Sequence, residues 1–599
     1  MRNKTNENTC SLAGAPPFTR VELAVVGIVV LAGVVLRGSL LSRAAVEHFD
    51  EGVYASNFWF AGTGSVYPFQ HLYAPPLLPT LVEWSIKLLG SGHLGTLSVN
   101  LLFGSATIVL AWWVGRSMFG PPAGAATATL AASNDFHILY SRTVLTDPLL
   151  CFWMLAAVYL AWEALRRRCF GWAMMAGVAT AAAWWTKYNG WLPLAIGLAG
   201  MVPWLIFQKP ANISSRKSLG VWVVIAATAF ALWSPVLYGL ADHGGYAAVQ
   251  ANHRGYVVGL DGWLESLKRH VAAQRHFEGW LSAIGAGLAL LAAVASRSHP
   301  EISTWNRQAR RMIGWLPAAL WLVALAALLG SGVMLELLAI VGLILLIWAA
   351  SNERPSQGLE SNRALAYWMT AAWLIGLLVL TPLYRAYPRL VLPSLVATWL
   401  AAGATLGRFL DAWISRRAAA AKVGSPPPMG SVLRHFVVSA AVVIGMVIFT
   451  GRLNSRGIPG WEDRTGLESI AARIVDNSPD STTQTGAARS RRLYFVFGEP
   501  ALVFHILANG QTAVPIADLG GLRSSPLPPG TFAYLVAGPH AERTPAFVAE
   551  LAQSANRFEV LATYDYLPSD LVLLDEYSAD RVEQTDFDRA QAIRLYRVK

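Results

Sequence analysis

Charge is scarce in this chain: Asp, Glu, Lys and Arg together make up 14% of its 599 residues, whereas 54% are hydrophobic. A soluble protein carries about 25% charged residues, so this composition excludes an ordinary water-soluble enzyme and puts much of the chain in lipid. Cysteine is scarcer still, with three in all (Cys10, Cys151, Cys169) and none in the long C-terminal segment. That excludes a disulfide framework for the segment, even in an oxidising compartment. Internal repeats and low-complexity tracts are absent, and charges away from the ends of the apolar runs are few, Glu336 being the main exception. Both absences argue against a transporter, which needs midplane charges and repeated halves. No small-residue cleavage site follows the first apolar run, so it reads as a retained signal anchor.

What the sequence does have is apolar runs of helical length, about 13 of them. They lie near 21–41, 94–115, 121–134, 148–165, 170–186, 190–207, 219–240, 279–296, 313–329, 332–350, 364–381, 390–407 and 436–451. A β-barrel would alternate polar and apolar residues instead. The expected fold is therefore an α-helical polytopic membrane protein with a small C-terminal α/β domain. Alternate loops collect the bases: Arg116, "RRR" at 166–168, Lys209 with Arg216 and Lys217, "RQARR" at 307–311, Arg354 and Arg363, and then Arg408 through Arg434. With residues 1–20 cytoplasmic, every basic loop falls inside, as the positive-inside rule requires. The net charge of +11 is thus a topology signal of a plasma or inner membrane protein, not a nucleic-acid footprint.

An odd span count places 452–599 outside, after a linker at 422–435. There "RLYFVFG", "TAVPI", "FAYLVAG", "FEVLATY" and "IRLYRV" read as strands, and "EPALVFHILA" and "TPAFVAELAQSA" as helices. The expected division is 1–20 as a cytoplasmic tail, 21–451 as the membrane domain and 452–599 as the extracytoplasmic domain.

The external loops then hold the chemistry. "EHFDEGVYA" sets Asp50 and Glu51 at the membrane interface among few other polar residues. Neighbours in sequence do not share a helix face, so the two have different roles. Capping the helix that follows is the plain structural use of such carboxylates, and cost at an interface favours function. Asp147, before Pro148, is a second acid at an outer helix start. Arg142, Lys187, Arg385 and Arg389 are outer cations that run against the inside bias, and each needs a partner, either an acid or an anionic substrate such as phosphate. The loop 241–278 contains His243, His253, His270 and His276 without the tight spacing of a metal site, and its Gly-Gly and aromatics suit a gate.

"FDEGVYASNFWFAGTG", "YAPPLLPTLVEWSIKLLG", "SRTVLTDPLLCFWMLAAVYL", "WWTKYNG" and "AYPRLVLPSLVATWLAAG" follow one another in this order. Together they resemble the GT-C fold glycosyltransferases that use polyprenyl-phosphate sugars, such as protein mannosyltransferases and lipid A aminoarabinose transferases. The resemblance covers roughly residues 20 to 410. It implies functional roles for Asp50, Glu51, Arg142, Asp147, Lys187 and Arg389, with Leu390 in place of the family's aromatic. It departs at "LYAPP", where aminoarabinose transferases carry a Glu-Lys pair before the proline. A metal ligand at that glutamate is therefore not implied, no cofactor is expected, and Tyr73 or His71 stands in as the nearest substitute.

The residues suit the chemistry on their own terms. Nucleotide sugars are cytoplasmic, so a transferase acting outside needs a lipid-borne donor. Transfer to a hydroxyl through an oxocarbenium-like state calls for a base and for cations at the leaving phosphate. Asp50 is the expected base, with Glu51 and Asp147 orienting. Arg142, Lys187, Arg385 and Arg389 serve the phosphate, and Tyr54, His71, Tyr73, Tyr188 and His253 line the cavity. The expected partners are a polyprenyl-phosphate sugar, a glycan, lipid or protein acceptor, and membrane lipid. A lipid-linked sugar flippase and a non-catalytic envelope-assembly protein are the alternatives.

Overall fold

The computed structural model describes residues 17–208, 214–297, 305–329, 331–352, 359–420, 457–478, 491–520, 522, 530–576 and 591–599. A helix stands at each of the first twelve expected span positions. Among the described residues, six helices are long and apolar enough to cross a membrane: Arg20–Arg43, His93–Phe119, Thr146–Arg167, Ser215–Ala241, Asn362–Leu383 and Pro388–Trp413. A seventh is reached if Trp263–Phe277 and Trp280–Ala295, bent by 83°, count as one. The expected span at 436–451, the linker at 422–435 and the border at 452 lie outside the described residues. The protein is polytopic and helical, while the figure of 13 spans is not established.

The chain divides into two compact units, the first being Met1–Gly38, Phe103–Ser141 and Asp147–Gly460. At its centre lies Pro121–Ser133, the shortest expected span, which is rich in Ala, Thr and other small residues and is nearly all buried. Small residues let helix backbones approach closely in lipid. A Cβ at Gly403 would lie 2.2 Å from Thr127 Oγ1, and that hydroxyl donates to Trp399 O at 3.3 Å.

The second unit comprises Ser39–Leu102, Arg142–Thr146 and Trp461–Lys599. Its sheet has β1 (Arg491–Phe497), β2 (Thr512–Ile516), β3 (Thr531–Ala537), β4 (Phe558–Tyr566) and β5 (Gln591–Val598). The order is β2-β1-β3-β5-β4. β2, β1 and β3 run parallel, and β5 pairs antiparallel with both β3 and β4. Each expected strand and both expected helices form, with Phe497, Leu535, Phe547 and Tyr596 in the core. The helices Gln70–Tyr73, Leu77–Leu89, Gly466–Asn477, Pro539–Glu542 and Asp570–Asp575 were not read in the sequence. The short first-loop helix Phe49–Ala61 belongs to this unit and packs on Pro500–Ala508. Gly52 makes that approach possible, since a Cβ there would fall 2.2 Å from Ala501 N and 2.3 Å from Pro500 C.

Candidate active site

The acidic pair opens the Phe49–Ala61 helix, where Glu51 has the capping use expected of such a carboxylate. His48 is the N-cap, accepting from Asp50 N at 3.1 Å. Glu51 reaches back so that its Oε2 accepts from His48 N at 3.0 Å and Glu47 N at 3.1 Å. This reciprocal arrangement is a capping box. Glu51 is fully buried; its Oε1 also accepts from Val144 N at 2.7 Å, and Arg464 lies 3.3 Å from Oε2. Its hydrogen-bonding capacity is thus spent inside the protein. Asp50, one residue earlier, points from a different face and is half-buried.

Tyr54 is buried on the same helix, while His71 and Tyr73 are half-buried nearby in the chain. The Tyr73 ring lies 5.5 Å from Phe49. Arg142 is buried and donates through Nη1 to Ser39 O at 2.5 Å and through Nη2 to Leu40 O at 2.9 Å. Leu40 has a positive φ of 52°, so the guanidinium clamps a strained turn. Burial, with Arg464 adding to it, lowers the Arg142 pKa to about 10, which leaves it charged at neutral pH.

Several residues of this unit have partners that the sequence did not reveal. Arg464 pairs with Glu51 and donates to Arg142 O, across a separation that no local pattern encodes. Glu47 accepts from Tyr566 Oη at 2.9 Å and from Ser569 Oγ at 2.5 Å. Burial pushes its pKa up to about 7 even though those hydrogen bonds and Arg464 pull it down. The buried side chains of His48, Asp575, Glu576 and Glu499 form a further cluster with the half-buried His540.

In the first unit, Lys187 Nζ lies 2.7 Å from Asp147 Oδ1. Lys187 ends the Phe170–Thr186 helix in extended backbone, and the turn after it closes on Gly190, where a Cβ would meet Ala183 O at 2.1 Å. Tyr188 then starts a run of rings. Its centroid is 6.3 Å from His253 and 5.9 Å from Tyr246. His253 is 6.3 Å from Tyr256, which is 5.7 Å from Tyr387. The guanidinium carbons of Arg385 and Arg389 lie 5.9 Å and 5.7 Å from the Tyr387 ring. The structure thus joins Tyr188, His253, Arg385 and Arg389 through one aromatic chain, with Lys187 and Asp147 at its start.

The expected gate at 241–278 holds two helices, Gly245–Arg254 and Trp263–Phe277. Main-chain bonds fasten it: Arg385 N to Tyr256 O at 2.7 Å and Val258 N to Leu383 O at 2.9 Å. Among the described residues, no three His, Cys, Asp or Glu side chains are grouped to hold a metal ion.

Residues 73–238 match the family model "Dolichyl-phosphate-mannose-protein mannosyltransferase". ArnT from Cupriavidus metallidurans, bound to undecaprenyl phosphate, superposes with a TM-score of 0.52 at 15% identity, covering 96% of this chain and 98% of that one. This chain has the GT-C fold of membrane glycosyltransferases. The Archaeoglobus fulgidus oligosaccharyltransferase tethered to an acceptor peptide gives a TM-score of 0.51 at 14% identity, covering 91% and 73%. No curated protein sequence matches the chain.

Proposed function

We propose that the chain moves a sugar from a polyprenyl-phosphate donor to a hydroxyl of an envelope glycan, lipid or protein on the outer face of the membrane, with inversion. The observation that carries this reading is the chain of cations and rings from Lys187 through Tyr188, His253, Tyr256 and Tyr387 to Arg385 and Arg389. Cations answer a phosphate, and ring faces answer a sugar or an isoprenoid. The relatives give support: the matching family is named for a dolichyl-phosphate-mannose donor, and the ArnT structure contains undecaprenyl phosphate.

In this reaction the acceptor oxygen attacks the anomeric carbon as its proton passes to Asp50. The bond from that carbon to the phosphate oxygen breaks, and polyprenyl phosphate leaves with the electron pair. Lys187, Arg385 and Arg389 neutralise the departing charge. One displacement inverts the carbon, so no second carboxylate acts as nucleophile. Glu51 holds the loop that carries Asp50, and Asp147 orients Lys187. Arg142 takes a supporting role, because its donors already serve two carbonyls. Tyr54, His71 and Tyr73 shape the acceptor side. The basic loops and residues 1–20 face the cytoplasm, 21–451 form the membrane domain and 452–599 lie outside.

Binding of undecaprenyl phosphate to the purified chain in detergent tests the reading. A ligand that binds only the folded state raises Tm with concentration. Undecaprenyl phosphate should raise Tm and undecaprenol should not, and Arg389→Ala should blunt the rise. Equal rises with both lipids would remove the phosphate site.

A further inference from the structure

Beside the Asp50 loop, acids and imidazoles alternate in a row of side chains that is buried except at His540, which is half-buried. His48 Nε2 is 3.1 Å from Asp575 Oδ2, and His48 Nδ1 is 3.6 Å from Glu576 Oε1. The other Glu576 oxygen is 3.5 Å from His540 Nε2, and His540 Nδ1 is 3.1 Å from Glu499 Oε1. Glu576 Oε1 also accepts from Phe49 N at 2.5 Å. His48 and Asp575 are 2% and 1% exposed, too buried for a carboxylate to stand without an opposite dipole or charge.

We propose that this row is a positioning device for Asp50: Asp575 fixes the tautomer of His48, and His48 holds the backbone of Asp50. The proposal rests on the reading of Asp50 as the base. His48 Nδ1 accepts the Asp50 N–H at 3.1 Å, so in the neutral ring the proton sits on Nε2, the nitrogen facing Asp575. An N-cap is ordinarily Ser, Thr, Asp or Asn. Those side chains satisfy the helix end alone. An imidazole has a second nitrogen on its far side and so connects the cap to another carboxylate. Glu576 anchors Phe49 and is itself braced by His540 and Glu499. Residues near the C-terminus thereby set the geometry of a loop near the N-terminus, which gives that segment a part in transfer.

The test uses the full chain in detergent with a polyprenyl-phosphate sugar that the wild type turns over. Asp575→Asn and His48→Ala should each lower kcat by roughly 2- to 30-fold, the range of a lost cap, with donor KM changed by less than about twofold. His48→Asn, which can still accept the Asp50 N–H, should recover most of the rate. Asp575→Asn should add nothing in the His48→Asn background, because its effect passes through the imidazole. Wild-type kcat in Asp575→Asn, or an equal loss in both backgrounds, would overturn the proposal. Full turnover in Asp50→Asn would instead overturn the base assignment, a different result on a different variant. If Asp575→Asn does not fold, ¹⁵N-histidine NMR of the wild type decides: the proton on Nε2 of His48 supports the device, and the proton on Nδ1 refutes it.

Discussion

Lys187 Nζ lies 2.7 Å from Asp147 Oδ1, and that carboxylate is 1% exposed. A cation that the loop charges mark as out of place therefore has a counter-ion as well as a proposed substrate. The two roles separate by a double variant. Lys187→Ala should cost about 3–5 kcal/mol of stability, since it leaves a buried charge uncompensated. Adding Asp147→Asn should restore much of the stability, read as Tm, but not the use of donor. Recovery of both would make Lys187 a structural partner only.

Glu51 and Asp50 should part in the same way. Glu51 has four partners inside its unit, so Glu51→Ala should destabilise by about 3–5 kcal/mol and lose activity through folding. Asp50→Asn should leave Tm near that of the wild type. Matching Tm losses in the two variants would contradict this split.

The C-terminal strands β1 to β5 were legible because period-2 patterns are local, and all five form where the pattern placed them. The acidic pair and Lys187 were legible as charges in costly places. Arg464 was not, because 413 positions separate it from Glu51 and one arginine among the many of the C-terminal segment gives no sign of its partner. His48 was hidden for a related reason: an imidazole at a cap is uncommon, and Asp575 sits on a helix too short to show a period. Asp135–Ser141 is helical and wholly buried, and its seven residues are too few to reveal a period in the sequence.

His540 provides a pH test of stability. Burial alone would lower its pKa, but Glu499 and Glu576 outweigh that and raise it to about 9. A histidine raised above its unfolded value, about 6.5, contributes stability that is fully present below pH 6.5 and lost as pH rises through about 9. The Tm of the full chain should therefore fall between pH 7 and 9, and His540→Gln should flatten that slope. An unchanged slope would remove the coupling.

Gly52 tests the packing of the first-loop helix. A Cβ at this position meets backbone, not a side chain that can swing away. Gly52→Ala should destabilise by at least about 1–3 kcal/mol. Gly62→Ala, whose Cβ would find nothing closer than 3.5 Å, should be nearly neutral. Comparable Tm values for the two would show that the helices do not approach as described.

The most direct measurement is release of free polyprenyl phosphate by the purified chain. It would be supplied with a panel of polyprenyl-phosphate sugars and an envelope extract as acceptor, alongside Asp50→Asn. The wild type should release the lipid phosphate from at least one donor, in step with sugar appearing on acceptor. Asp50→Asn should be slower by roughly 10²–10⁴-fold, the contribution of a general base. No release from any donor, or equal release by the wild type and Asp50→Asn, would contradict the account.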